Sequence, residues 1–186
     1  MYLFLYTFFV KWMKKYLQNK YLIVELDYRK WHEVGESGDN MLMGEYRHNL
    51  DDKKRLIIPS KFREEIGDKF VVTRGLDGCL FVYSLNDWEK IINKLKTLPF
   101  TKKDARTFMR FFLSAASICE FDKQGRINLV NSLIEYAKIQ KECVIIGVKD
   151  RLEIWAVERF DEQLSDSEEL SSIAENLFDG GFDLDA

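Results

Sequence analysis

The chain has 186 residues, of which 46% are hydrophobic and 14% aromatic, and this composition excludes a disordered protein and allows one or two small domains. The net charge of −3 is unevenly distributed: residues 41–157 carry 21 basic and 16 acidic side chains (+5), whereas residues 158–186 carry 1 basic and 10 acidic (−9). The three cysteines, Cys79, Cys119 and Cys143, share no close spacing, so we expect buried thiols in a reducing environment and no metal or disulfide framework.

Residues 1–40 differ in composition from the rest of the chain. The apolar run Met1–Val10 would span only about 15 Å as a helix, half of a bilayer core, and no basic segment precedes it as in a secretory signal. The stretch Glu33–Asn40 can be encoded by GGAG-containing triplets, as in a ribosome-binding site placed before Met41. We therefore expect a misassigned or unstructured extension whose removal leaves folding intact; the alternative is a membrane-proximal segment.

The first structured segment has the pattern of a hairpin. Tyr46–Asn49 is predicted to be a short strand, Asp51–Lys54 is a turn-type cluster, and the apolar run Leu56–Ile58 ends at Pro59. A helix is predicted for Ser60–Ile66, where the apolar spacing ends at a glycine.

Further elements follow at short intervals. Two strands, Phe70–Thr73 and Leu80–Tyr83, precede a helix that Ser84 is expected to cap. Thr101–Asp104 resembles a capping box and predicts a helix that extends to about Ala116. Its polar side carries Lys102, Arg106 and Arg110 at helical spacing, which we interpret as a solvated face, with phosphate contact as the alternative.

The chain then repeats itself. Asp51 and Arg55 recur as Asp122 and Arg126 at an offset of 71 residues, and the apolar segments that follow match after one inserted residue. The second copy predicts strands and helices at Ile118–Phe121, Ile127–Leu129, Ser132–Lys138, Cys143–Val148, Leu152–Ala156 and from Val157, followed by an acidic helix.

The repeat gives an α+β organisation with two small modules. We expect a first module at 41–98, a linking helix at 99–117, a second module at 118–164, and an acidic helix and tail at 165–186. Strands this short leave unsatisfied sheet edges within one module, so the modules are expected to pair with each other or to exchange hairpins.

The repeated turns are the candidate binding sites. Asp51 and Asp122 are expected to form the turns by accepting backbone N–H groups. Gly125 suits a position with positive φ, and Lys54 occupies the equivalent place in the first copy.

These motifs resemble the MraZ family of bacterial transcriptional regulators, which is encoded at the head of the division and cell-wall gene cluster. The resemblance extends from Met41 to about Leu177 and is carried by Met41–Tyr46, Asp51–Arg63, Thr73–Asp77, Leu98–Arg106 and Asp122–Arg126. It implies two AbrB-like swapped-hairpin modules related by a pseudo-twofold axis, and a homo-oligomeric ring. It also implies a cytoplasmic, nucleoid-associated protein that binds direct repeats of double-stranded DNA in the promoter of its own operon.

Residue by residue, the resemblance implies that Arg55 and Arg126 carry the DNA contacts. Lys53, Lys54 and Lys123 would add attraction to phosphates, which positions a protein on DNA without specifying sequence. The chain departs from the family pattern at three positions: Lys54 stands where Gly is usual, Val130 where Pro is usual, and Ile134 where Arg is usual.

Two other classes of function are weighed against DNA binding. A ring-forming interaction scaffold would use the acidic tail to recruit a protein, and its binding to DNA would be absent or unspecific. An enzyme is not expected, because the chain has two histidines and none of the phosphate-loop, nucleophile-elbow or zinc-protease motifs. We accordingly expect no cofactor, no metal, no small-molecule substrate and no membrane partner.

Overall fold

The computed structural model describes residues 41–165 and 167–179. The expectations for residues 1–40 and for residues 180–186 therefore lie outside the described part of the chain. In chain order the elements are β1 (Leu42–Asn49), β2 (Arg55–Ile57), α1 (Ser60–Ile66), β3 (Lys69–Arg74), β4 (Leu80–Ser84), α2 (Leu85–Lys96), α3 (Lys103–Leu113), β5 (Ser117–Glu120), β6 (Arg126–Asn128), α4 (Asn131–Ala137), β7 (Glu142–Lys149), β8 (Arg151–Ala156), α5 (Val157–Gln163) and α6 (Ser167–Asp179).

Strands from both copies interleave in one antiparallel sheet. Its spatial order is β1-β7-β8-β4-β3-β5, and the short strands β2 and β6 form a separate ribbon. The edge strand β1 of the first copy lies against β7 of the second, and β5 of the second copy lies against β3 of the first. Each copy thus supplies an edge strand to the other, and the predicted α+β fold with two exchanged modules is confirmed.

The predicted local hairpin between the first two strands is wrong. Strand β1 pairs along its whole length with β7, from Leu42 opposite Lys149 to Asn49 opposite Glu142. Strand β2 pairs with β6. The turn between β1 and β2 therefore redirects the chain into a second sheet, and a partner from the distant copy satisfies each strand.

The core has two parts, one on each face of the six-stranded sheet. On one face Phe70, Val72 and Ile145 pack with the β2–β6 ribbon and with α1 and α4. On the other face Phe81, Tyr83 and Trp155 pack against α2, α3 and α5. Because the central strands are buried on both faces, they are nearly continuous apolar runs in the sequence.

The helix ends follow local chemistry at some positions and tertiary contacts at others. The Ser84 hydroxyl accepts from the Asp87 N–H, as predicted, and starts α2. The predicted capping box is wrong: α3 begins after Lys102 without a side-chain cap. Instead, Arg106 Nη1 donates to the carbonyls of Phe100 and Thr101, at 2.8 and 2.7 Å, and holds the preceding loop.

Within residues 41–165 and 167–179, no helix combines the length and the apolar character needed to cross a bilayer.

Candidate nucleic-acid interface

The two Asp–Arg turns meet at the β2–β6 ribbon. Leu56 lies opposite Ile127, both fully buried, and the pairing is symmetric about these two residues. The segment Asp51–Arg55 is called turn 1 below, and Asp122–Arg126 is called turn 2. Arg126 Nη1 lies 3.9 Å from Asp51 Oδ2, so the charged groups of both turns share one surface.

Both turns have the same internal geometry. Asp51 Oδ1 accepts from the backbone N–H groups of Lys53 and Arg55, both at 2.9 Å, and its Oδ2 accepts from Arg55 Nε at 2.7 Å and Nη2 at 2.6 Å. Asp122 Oδ1 accepts from the N–H groups of Gln124 and Arg126 at 2.8 and 3.0 Å. Asp122 Oδ2 accepts from Arg126 Nε and Nη2 at 2.7 and 2.6 Å.

These hydrogen bonds determine the charge state of both carboxylates. The Arg55 side chain, followed by the backbone N–H groups, lowers the pKa of Asp51 from 3.8 to about 2. The Arg126 side chain lowers the pKa of Asp122 in the same way, to about 2. Carboxylates that stay ionised above pH 4 are suited to orienting an arginine and poorly suited to proton transfer near neutral pH.

Each turn contains one residue with a left-handed backbone. Gly125 has φ 73° and Lys54 has φ 60°, and each donates its N–H to the carbonyl of the turn aspartate, at 2.9 and 2.8 Å. Lysine pays a steric penalty of about 1 kcal/mol in this conformation that glycine does not.

Each turn is also anchored by the opposite copy. Leu129 of the second copy donates its N–H to the Lys54 carbonyl at 3.0 Å. Ile58 of the first copy donates to the Gly125 carbonyl at the same distance. The shape of each turn therefore depends on the presence of both modules.

The side chains around the two left-handed residues differ. Gly125 is buried, and a Cβ built on it would lie 2.6 Å from the Cζ of Arg63, a residue of α1. Lys54 is exposed, and its Nζ donates to Oδ1 of Asn131 in α4. Sequence reasoning missed Arg63 and Asn131 as neighbours of the turns. The available signal was the offset of 71, which aligns Arg63 with Ile134.

The predicted basic residues fall into two groups by exposure. Lys53, Lys54 and Lys123 are exposed on the turns, open to a large partner. The side chains of Arg55 and Arg126 are 30% and 19% exposed, because their aspartates hold them against the ribbon. A polyanion at this surface would therefore meet exposed lysines and preoriented arginines together.

This architecture defines a class: a tandem α+β protein whose two modules exchange strands and present paired Asp–Arg turns. A family model described as "MraZ protein, putative antitoxin-like" matches residues 41–111 and again residues 112–180. The chain is 57% identical over 145 residues to the "Transcriptional regulator MraZ" of Ligilactobacillus salivarius (strain UCC118), an alignment that covers 77% of this chain and 100% of that protein. The chain belongs to the MraZ family.

Proposed function

We propose that this protein is a transcriptional regulator that binds short direct repeats of double-stranded DNA in the promoter of its own division and cell-wall operon. The observation that carries the proposal is the pair of Asp–Arg turns on one surface of the β2–β6 ribbon. The 57% identical relative, named a transcriptional regulator, supports the same function. Such a protein acts in the cytoplasm at the nucleoid.

Arg55 and Arg126 are the residues that distinguish bases. Asp51 and Asp122 engage Nε and one Nη2 hydrogen of each guanidinium. The opposite edge of the guanidinium can donate two parallel hydrogen bonds to guanine O6 and N7. Since the aspartate fixes the arginine beforehand, less side-chain entropy is lost on binding.

Lys53, Lys54 and Lys123 contact phosphates in this proposal. They flank the arginines and are exposed, so a duplex that presents a base edge to the arginines brings its backbone near the lysines. Such contacts strengthen binding by counterion release and carry no sequence information.

Assembly into a homo-oligomeric ring would multiply these contacts. One turn surface recognises a short site, and several chains held together engage successive direct repeats at a high effective concentration. The binding free energy of each single contact can then be small, although the whole assembly binds tightly.

The test is fluorescence anisotropy of the full chain on the duplex upstream of its gene, with a shuffled duplex as control, at about 0.15 M salt, where the Debye length is about 8 Å. Arg126→Ala and Arg55→Ala should each weaken binding to the native duplex by about 1–3 kcal/mol per contacted repeat, without unfolding the protein. Unchanged affinity in both variants would remove the proposed mechanism.

The second candidate is an interaction scaffold, and one observation favours it. The acidic helix α6 exposes Leu170 and Ile173, at 40% and 47%, on successive turns. An exposed apolar pair on an acidic helix suits a protein partner. The salt dependence distinguishes the candidates, because DNA binding through several cations weakens steeply as salt rises.

A further inference from the structure

We propose that, in addition to Lys53 and Lys123, each turn carries a cation for the DNA backbone at its left-handed residue, supplied by Lys54 itself at turn 1 and by Arg63 of α1 at turn 2. The inference rests on the proposed function and assigns Arg63 a binding role. It also accounts for the difference between two turns whose backbones are otherwise alike.

The geometry at turn 2 places the Arg63 guanidinium over Gly125. A Cβ built on Gly125 would lie 2.6 Å from Arg63 Cζ, 2.8 Å from Nε and 2.8 Å from Nη1. Arg63 Nε donates to the Ile58 carbonyl at 3.1 Å, which fixes the inner edge of the group against the ribbon. The Arg63 guanidinium therefore packs on Gly125, the residue that precedes Arg126, and the Arg63 side chain is partly exposed.

The corresponding helix position at turn 1 is apolar. The offset of 71 makes Ile134 of α4 the sequence equivalent of Arg63 of α1. Ile134 is partly buried against the core. No guanidinium can cover turn 1 from that position. Lys54 itself provides the positive charge there, and Asn131 at the start of α4 accepts a hydrogen bond from its ammonium group.

The two arrangements exclude each other at a single turn. Any side chain longer than hydrogen at residue 125 must displace Arg63, since the built Cβ already lies within 3 Å of three guanidinium atoms. Residue 54 carries a long side chain, and the helix residue equivalent to Arg63 in that copy is the apolar Ile134. A cation at the left-handed residue, supplied by the turn or by the helix, is therefore the common feature of both copies.

A cation in this position is suited to a phosphate. It lies beside the arginine that would meet the base edge, and its charge is exposed or partly exposed. A side chain that neutralises one phosphate releases counterions, so its removal lowers the salt dependence of binding as well as the affinity. A merely structural role for Arg63 would not change the salt dependence.

The first experiment removes each cation. Arg63→Gln retains a side-chain donor for the Ile58 carbonyl, and Lys54→Gly retains the left-handed backbone. On the upstream duplex each variant should bind about tenfold more weakly, and the slope of log K against log salt should become shallower by about one per contacted turn. Lys94→Gln, an exposed lysine on α2 across the sheet from the ribbon, is the matched control and should change neither quantity.

The second experiment moves the cation from the turn to the helix. The double variant Lys54→Gly with Ile134→Arg gives turn 1 the residues of turn 2, and it should recover both the affinity and the salt slope of the natural protein. Melting temperatures of all variants are measured in parallel. If Ile134→Arg destabilises the core, the Arg63→Gln salt slope alone still decides the proposal.

The outcomes separate this inference from the proposed function. If the natural protein binds native and shuffled duplexes equally, the proposed function fails and the inference fails with it. If Arg55→Ala and Arg126→Ala weaken binding while Arg63→Gln and Lys54→Gly leave affinity and salt slope unchanged, only the inference is overturned. A folded double variant that stays as weak as Lys54→Gly would show that the two cations are not equivalent.

Discussion

In Asp51 and in Asp122, one carboxylate oxygen accepts hydrogen bonds from two backbone N–H groups. The other oxygen accepts from the guanidinium of the turn arginine. Both the loop shape and the arginine direction therefore depend on a single side chain in each turn. Replacing either aspartate would release the arginine before it altered the fold, because the ribbon beneath the turns is held by buried leucine and isoleucine.

Substitutions at the two left-handed residues, Lys54 and Gly125, should change the stability of the protein in opposite directions. Lys54→Gly should raise the free energy of unfolding by about 0.5–1 kcal/mol, because it removes the steric penalty at φ 60°. Gly125→Ala should lower it by more than about 1 kcal/mol, because the added Cβ both strains the backbone and meets the Arg63 guanidinium. Lys138→Gly is the control for backbone strain alone, since Lys138 has φ 54° and ψ 31° at the end of α4 and lies in neither turn. Urea unfolding measures all three, and a less stable Lys54→Gly protein would contradict the argument.

The turn carboxylates predict a pH dependence of stability. Their pKa is about 2 in the folded protein, below the ordinary 3.8, so the unfolded protein binds more protons in between. Their contribution is present above about pH 4 and is lost as pH falls towards about 2. Urea unfolding at pH 5, 4, 3 and 2 should show this loss, and Asp51→Asn with Asp122→Asn should flatten it. An equally steep loss in that double variant would assign the pH dependence to other groups.

At the scale of elements, β8 contains a buried polar cluster. Glu153, 8% exposed, accepts from Arg151 Nη2 at 2.8 Å and from Trp155 Nε1 at 3.0 Å. The Arg151 guanidinium also lies 4.6 Å from the centre of the Phe81 ring on β4. The cluster thus links two neighbouring strands in the centre of the sheet.

Glu153→Ala should lower the free energy of unfolding by about 1–3 kcal/mol, because it leaves the buried Trp155 N–H without its acceptor and leaves the partly buried Arg151 with only Asp150, at 3.4 Å, as an ion-pair partner among the described residues. The matched control is Glu120→Ala, which breaks the pair of Lys69 and Glu120 on β3 and β5, with both side chains about 60% exposed. An exposed pair contributes at most about 1 kcal/mol. Equal losses in the two variants, measured by urea unfolding, would contradict a role for burial.

The sequence predicts where helices and strands lie along the chain far better than it predicts which strands pair. Helix α1 begins and ends where predicted, because apolar spacing and a terminal glycine are local features. The partner of β1 is a strand about a hundred residues away, whereas local spacing favours a hairpin with β2, and that prediction is wrong. The Asp–Arg turns were predictable because the repeat displays them twice. Arg63 was not, because it reaches turn 2 only after the copies have crossed.

At the scale of the whole molecule, strand exchange predicts that neither half folds as a monomer. Residues 41–115 alone would leave β1 without β7 and β3 without β5, and residues 116–186 would lack the complementary partners. Each half should be unfolded or paired with a second copy of itself, and mixing the halves should restore one folded complex. Amide NMR dispersion and sedimentation test this, and a folded monomer of either half would contradict it.

The covalent joining of the two modules has an evolutionary consequence. In a dimer of identical single modules, every substitution in a turn would appear twice, and both turns would have to tolerate it. Here Lys54 and Gly125 occupy equivalent places in one chain and differ from each other, so the two turns need not carry the same side chain. Under the proposed function, a substitution in one turn changes the DNA contacts of that turn and leaves those of the other turn intact, so the specificity of a tandem protein can change in small steps.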